Sequence, residues 1–73
     1  MKKKELQQAL IKANIPEGLY NLSGGLPNES LCLNKEGTWE VYYSERGLKS
    51  QIEKFDTEEQ ACEYFYKTII ELL

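Results

Sequence analysis

Two cysteines, twelve carboxylates and no histidine set the chemical repertoire of this 73-residue chain. Thiol and hydroxyl nucleophiles ordinarily work beside an imidazole, so the histidine-assisted triads are excluded. Cys32 and Cys62 lie thirty positions apart, and a zinc centre would need two further soft or imidazole ligands that the chain lacks. Cys62 falls in the first turns of a predicted helix, where a thiol can be acidified, but Glu58, Glu59 and Glu63 oppose the thiolate. The remaining acids sit in turns and on exposed helix positions, where nothing nearby would raise a pKa for acid–base work. The pair Gly24-Gly25 invites a phosphate-cradle reading. No Lys-Ser or Lys-Thr follows it and no helix opens after it, so a connecting loop is expected. No catalytic residue, metal ligand or cofactor is expected, and the chain reads as non-enzymatic.

Charge is unevenly spread. Residues 1–37 hold five Lys against four Glu, whereas residues 38–73 hold three Lys and one Arg against eight acids. The acidic second half disfavours phosphate backbones and favours a basic partner. The opening Met-Lys-Lys-Lys resembles the head of a secretion signal, yet Gln7, Gln8 and Lys12 interrupt Leu6, Ala9, Leu10 and Ile11. No stretch approaches the roughly 20 apolar residues of a membrane span. A cytoplasmic protein with two reduced thiols is expected.

The elements that would position these groups follow from periodicity. Leu6, Ala9, Leu10 and Ala13 predict an amphipathic helix over about residues 3–14. Lys2, Lys3 and Lys4 oppose its dipole, so residues 1–4 are expected to fray, while Asn14 and Pro16 end it. Leu19 to Leu22 is a short strand, Ser30 to Leu33 a second, Thr38 to Tyr43 a third and Leu48 to Phe55 a weaker fourth. The turns Asn34-Lys35-Glu36-Gly37 and Ser44-Glu45-Arg46-Gly47 share one layout, which predicts type I turns closed by a left-handed glycine. A helix from about Thr57 to Leu72 opens on a capping box, Asp56 with Glu59 or Thr57 with Gln60. Its core face is Ala61, Cys62, Phe65, Ile69 and Leu72. The expected fold is a single α+β domain: a three- to four-stranded antiparallel meander with an N-terminal and a C-terminal helix on one face.

Alternation puts Trp39, Val41 and Tyr43 on the face beneath the helices, with Tyr20, Leu22, Leu31, Leu33 and Ile52 beside them. The opposite face, Asn21, Cys32, Thr38, Glu40, Tyr42, Gln51 and Glu53, is expected to be uncovered, because no helix is left to hide it. Tyr42 there would be an exposed aromatic of the kind favoured at interfaces. A second stripe, Tyr66, Ile70 and Leu73, would either seat the first helix or form a homodimer seam.

The order helix–strands–helix is similar to that of double-stranded RNA-binding domains. Likewise, Trp39-x-Val41 with Phe55-x-Thr57-Glu58-Glu59-x-Ala61 looks like the layout of integrase arm-binding domains. RNA binders of that class carry lysines at the start of the last helix. This chain has Asp56, Glu58 and Glu59, which repel a phosphate backbone, so nucleic-acid binding is not expected. The stretch Trp39-Glu40-Val41-Tyr42-Tyr43-Ser44-Glu45-Arg46-Gly47, with Phe55-x-Thr57-Glu58-Glu59-Gln60-Ala61-Cys62-x-Tyr64-Phe65, resembles small immunity proteins encoded beside bacterial polymorphic toxins. The resemblance covers about the second half of the chain and implies a cytoplasmic inhibitor that binds a toxin directly. An acidic, compact domain could steer onto a basic toxin surface. Glu40, Tyr42, Glu45 and Arg46 form the expected protein-contact patch, one aromatic anchor with charge at a turn tip. A monomer or weak homodimer is expected; the alternative functions are a homodimeric accessory or structural protein and, ranked after it, a nucleic-acid-binding domain acting through Lys2 to Lys4 and Lys12.

Overall fold

In the computed structural model, which describes residues 1–72, the chain forms α1 (Lys3–Lys12), a 3-10 turn (Glu17–Leu19), β1 (Tyr20–Asn21), β2 (Ser30–Glu36), β3 (Thr38–Glu45), β4 (Leu48–Phe55) and α2 (Glu58–Leu72). Among the described residues the four strands make one sheet in the order β1-β2-β3-β4. Both helices pack on one face of it. The α+β architecture expected from periodicity is the one observed.

Local chemistry accounts for the helix ends. Thr57 caps α2, its Oγ1 accepting the Gln60 N–H at 3.2 Å, and Glu58 and Glu59 oppose the dipole in the first turn. At the end of α1, Asn14 takes the left-handed conformation (φ +58°). The Asn14 N–H then donates to the Ile11 carbonyl and the Ile15 N–H to the Leu10 carbonyl. This is the Schellman pattern, and the accompanying apolar contact is supplied by Ile15 and Leu10, both in the core. The expected fraying of residues 1–4 meets a counterweight at the start of α1. The Lys2 N–H donates to Glu5 Oε1 at 2.9 Å, and the Lys3 N–H to Glu58 Oε2 at 2.7 Å. Lys2 Nζ also lies 3.2 Å from Glu59 Oε2. The acids of α2 thus answer lysines that the dipole of α1 alone would repel.

The helix-side core is built from Leu6 and Leu10 of α1, Ile15, Leu31 and Leu33 of β2, Val41 of β3, and Ala61, Cys62, Phe65 and Ile69 of α2. Trp39, Tyr20, Leu22 and Phe55 pack against it from the sheet, and Tyr66 from α2. Phe65 is fully buried, so its truncation to alanine is worth about 3–5 kcal/mol. Leu72, expected on this face, is instead 58 % exposed, and Ile70 is also exposed. The last turn of α2 therefore runs past the core. Leu73 lies outside the described residues.

The turn expected over Asn34-Lys35-Glu36-Gly37 is replaced by strand: β2 runs through Glu36, which pairs with Thr38 about Gly37 at φ +80°. Three further features depart from the expected meander. β2, β3 and β4 are antiparallel neighbours, but β1 pairs with β2 in parallel, Tyr20 opposite Leu31 and Asn21 opposite Cys32. A hairpin would require the chain to reverse straight after Asn21; residues 22–29 instead carry it back before β2 begins, so both strands enter in the same direction. At the β3–β4 link, Glu45 pairs with Leu48, and Arg46 and Gly47 both have positive φ, +53° and +76°. That is a two-residue type I′ turn, not a type I turn, because its twist matches that of the flanking strands. The third departure is a bulge in β4. Val41 faces Glu53 but Tyr43 faces Ser50, with Gln51 at φ +52° absorbing the extra length. Pairing of Trp39 with Phe55 and Val41 with Glu53 gives the helix side to the odd positions. Ile52, expected to point inward, is consequently sent to the other side and is 47 % exposed.

Candidate functional site

Alternation sends Ser30, Cys32 and Asn34 of β2, and Glu40, Tyr42 and Ser44 of β3, to the side away from the helices, paired as Ser30–Ser44, Cys32–Tyr42 and Asn34–Glu40. This is the face expected to be open. Its centre, Cys32, Glu40, Tyr42 and Ser44, is instead buried, while Thr38 and Gln51 are exposed as expected. Tyr42 is only 1 % exposed, and its hydroxyl donates to the Gly25 carbonyl at 2.6 Å. Gly24 and Gly25 lie against this face as the chain returns from β1 to β2. The Arg46 N–H donates to Asn28 Oδ1 at 3.2 Å, and Ser30 Oγ donates to the Gly18 carbonyl at 2.8 Å.

Glycine makes the close approach possible. Gly24 is buried at φ +76°, and a Cβ there would lie 2.6 Å from Asn34 Oδ1. A side chain would meet both a backbone penalty and a collision. The glycine pair was the available sequence signal for this cover, since a backbone free of side chains can lie flat on a sheet.

Beneath and beside the loop is a charged clamp. Glu40 is 7 % exposed. Its Oε1 accepts from Lys49 Nζ at 3.0 Å and from Asn34 Nδ2 at 3.3 Å. Lys49 Nζ also stands 4.5 Å above the centre of the Tyr42 ring, a cation–π contact. The hydrogen bond from Lys49 holds the Glu40 carboxyl below the usual range, ahead of the opposing effect of burial. Burial pushes the Tyr42 phenol and the Cys32 thiol upward. It likewise pushes Cys62 up to about 11, with Glu58 adding to the effect. Both thiols are free and buried, and both are kept protonated at neutral pH, which disfavours nucleophilic use.

The four expected contact residues are therefore divided. Glu40 and Tyr42 come together through Lys49, but as internal groups that secure the loop, so Tyr42 is not the surface anchor that an open face would have made it. Glu45 and Arg46 stand exposed at the β3–β4 turn. Around them lie residues that sequence reasoning did not select. Leu48, 71 % exposed, lines a shallow depression with Glu45, Arg46 and Ser50. Leu19, Tyr43, Ile69 and Leu72, with Glu29 and Gln51, line a neighbouring hollow of about 230 Å³. Helical period alone marked Leu72 as core.

Among the described residues, no group of His, Cys, Asp or Glu could hold a metal ion. No helix among them is long and apolar enough to cross a membrane. No family model, curated protein or solved structure matches the chain.

Proposed function

We propose that the chain is a small, non-catalytic protein-binding module that meets its partner at the β3–β4 turn end of the sheet. On the resemblance of its second half, we assign it as a cytoplasmic immunity protein that neutralises a toxin by direct binding. The observation that carries the binding reading is exposed Leu48 beside the charged tip Glu45-Arg46, with exposed Leu72 in the adjoining hollow. Exposed apolar side chains rimmed by charge are the usual anatomy of a contact surface. Glu40 and Tyr42 serve it indirectly. By fixing the loop to β3 and Lys49 to Glu40, they stiffen the strands that lead into the turn, which lowers the ordering cost of binding.

The test is to inspect the genes adjacent to this one for a toxin-like product and to measure its complex formation with this protein by size-exclusion chromatography and calorimetry. A 1:1 complex is expected, with Leu48→Asp and Glu45→Lys weakening it by tenfold or more, roughly the effect of losing one contact of about 1.4 kcal/mol. Absence of a complex refutes the immunity assignment. A homodimeric accessory role is the second reading, supported by Ile70 and Leu72 exposed on α2. Sedimentation of a clean 8.5 kDa species at micromolar concentration would exclude it.

A further inference from the structure

The hollow is a short groove that the turn-tip depression adjoins. Ser50, in the depression, pairs directly with Tyr43, in the hollow, and Gln51 follows Ser50 along the bulge. Its floor is apolar: Leu19, Tyr43, Ile69 and Leu72, continuing to Leu48. Its rim carries carboxylates. Glu29 lines the hollow and Glu45 the adjoining depression, and among the described residues neither forms an ion pair. Arg46 accompanies Glu45 and disfavours a second cation there, which leaves Glu29 as the open acidic position. Glu29 and Gln51, on the hollow's wall, are both held at positive φ, +53° and +52°. Non-glycine residues rarely adopt that conformation, and it is concentrated at functional sites. The hollow's 230 Å³ falls below the roughly 300–1,000 Å³ of small-molecule sites and suits one aliphatic side chain.

We infer that this groove takes an aliphatic side chain of a protein partner whose neighbouring residue is Lys or Arg, the cation meeting Glu29. The inference rests on the binding-module reading and specifies the chemistry of that partner. Hydrophobic burial would supply the anchor and Glu29 the selectivity, since a rim charge discriminates more than it holds.

The probe is acetyl-lysyl-leucyl-lysinamide titrated into ¹⁵N-labelled protein, with the glutamyl-leucyl-glutamyl counterpart as control. Saturable amide shifts at Tyr43, Gln51 and Leu72 are expected for the lysyl peptide, with roughly two- to fivefold weaker binding of the acidic one per rim charge. Glu29→Gln should erase that preference while leaving leucine-dependent shifts in place. Leu72→Lys, at an exposed position, should abolish binding of the lysyl peptide without unfolding the protein. Equal binding of both peptides, no shifts in the groove, or an unchanged preference in Glu29→Gln would each overturn the inference. A toxin complex that forms equally well with Glu29→Gln overturns the groove assignment alone; failure of any toxin complex overturns the broader reading.

Discussion

Replacing Tyr42 with Phe tests whether the second face of the sheet is sealed. The substitution keeps the ring and removes one oxygen, whose hydrogen bond to the Gly25 carbonyl spans 2.6 Å. Gly25 is solvent-exposed, so water can satisfy its carbonyl after the change, and the loss should be that of one ordinary hydrogen bond, about 1 kcal/mol. For 73 residues the unfolding entropy near the midpoint is about 150 cal/mol/K, which converts that loss to a fall in Tm of about 6–7 °C. Urea unfolding should show a lower midpoint with an unchanged slope, because the surface exposed on unfolding is the same. Amide exchange should accelerate about fivefold at residues 23–29 and not in α2, because the bond secures the loop and not the helix-side core. A tyrosine on an open face would respond differently, with a change within about 0.5 kcal/mol. A Tm within about 2 °C of the parent, with unaltered exchange in the loop, would refute the covered-face reasoning.

Three further outcomes are expected. Gly24→Ala should destabilise by about 2–3 kcal/mol, combining the left-handed penalty with the Asn34 collision, and should cost less in an Asn34→Ala background; additivity in that urea-unfolding cycle would contradict the packing. Ser44→Ala should raise stability by up to about 1 kcal/mol, since Ser44 Oγ is buried without a hydrogen-bond partner; a loss measured by urea unfolding would reveal a bond to that oxygen. The Glu40 carboxyl is held below its ordinary value of 4.5, so its contribution is present above that pH and is lost as pH falls through the native-state value. Glu40→Gln should therefore flatten the fall in stability below about pH 4.5. A residual slope should persist, because Glu59 is also lowered, by a backbone hydrogen bond and by Lys2. An unchanged pH profile would exclude the Lys49–Glu40 clamp as a source of acid sensitivity.

Much of the fold can be read from short segments because its causes are local. The Thr57 cap, the Asn14 and Pro16 stop, the inward run Leu31, Leu33 and Val41, and the α2 face Ala61, Cys62, Phe65 and Ile69 each depend on neighbours within a few positions. The candidate site was less legible. Glu45 and Arg46 are at a recognisable turn tip, but Leu19, Leu48 and Leu72 joined them only through the placement of the 3-10 turn, the bulge and the end of α2. A bulge reverses side-chain parity without any hydrophobic signature, and so Ile52 was assigned to the wrong side.

Residue order alone thus determined which segments became helix and strand and, in β2 and β3, which alternation faced the helices, since dihedral preference, capping and apolar period act over a few residues. Tertiary structure decided what covers Tyr42, how β1 enters the sheet and which leucines remain in water. Those outcomes depend on contacts between segments distant in the chain, as in Asn28 with Arg46, 18 positions apart. A polar, glycine-rich loop carries no periodic trace of the surface on which it will lie.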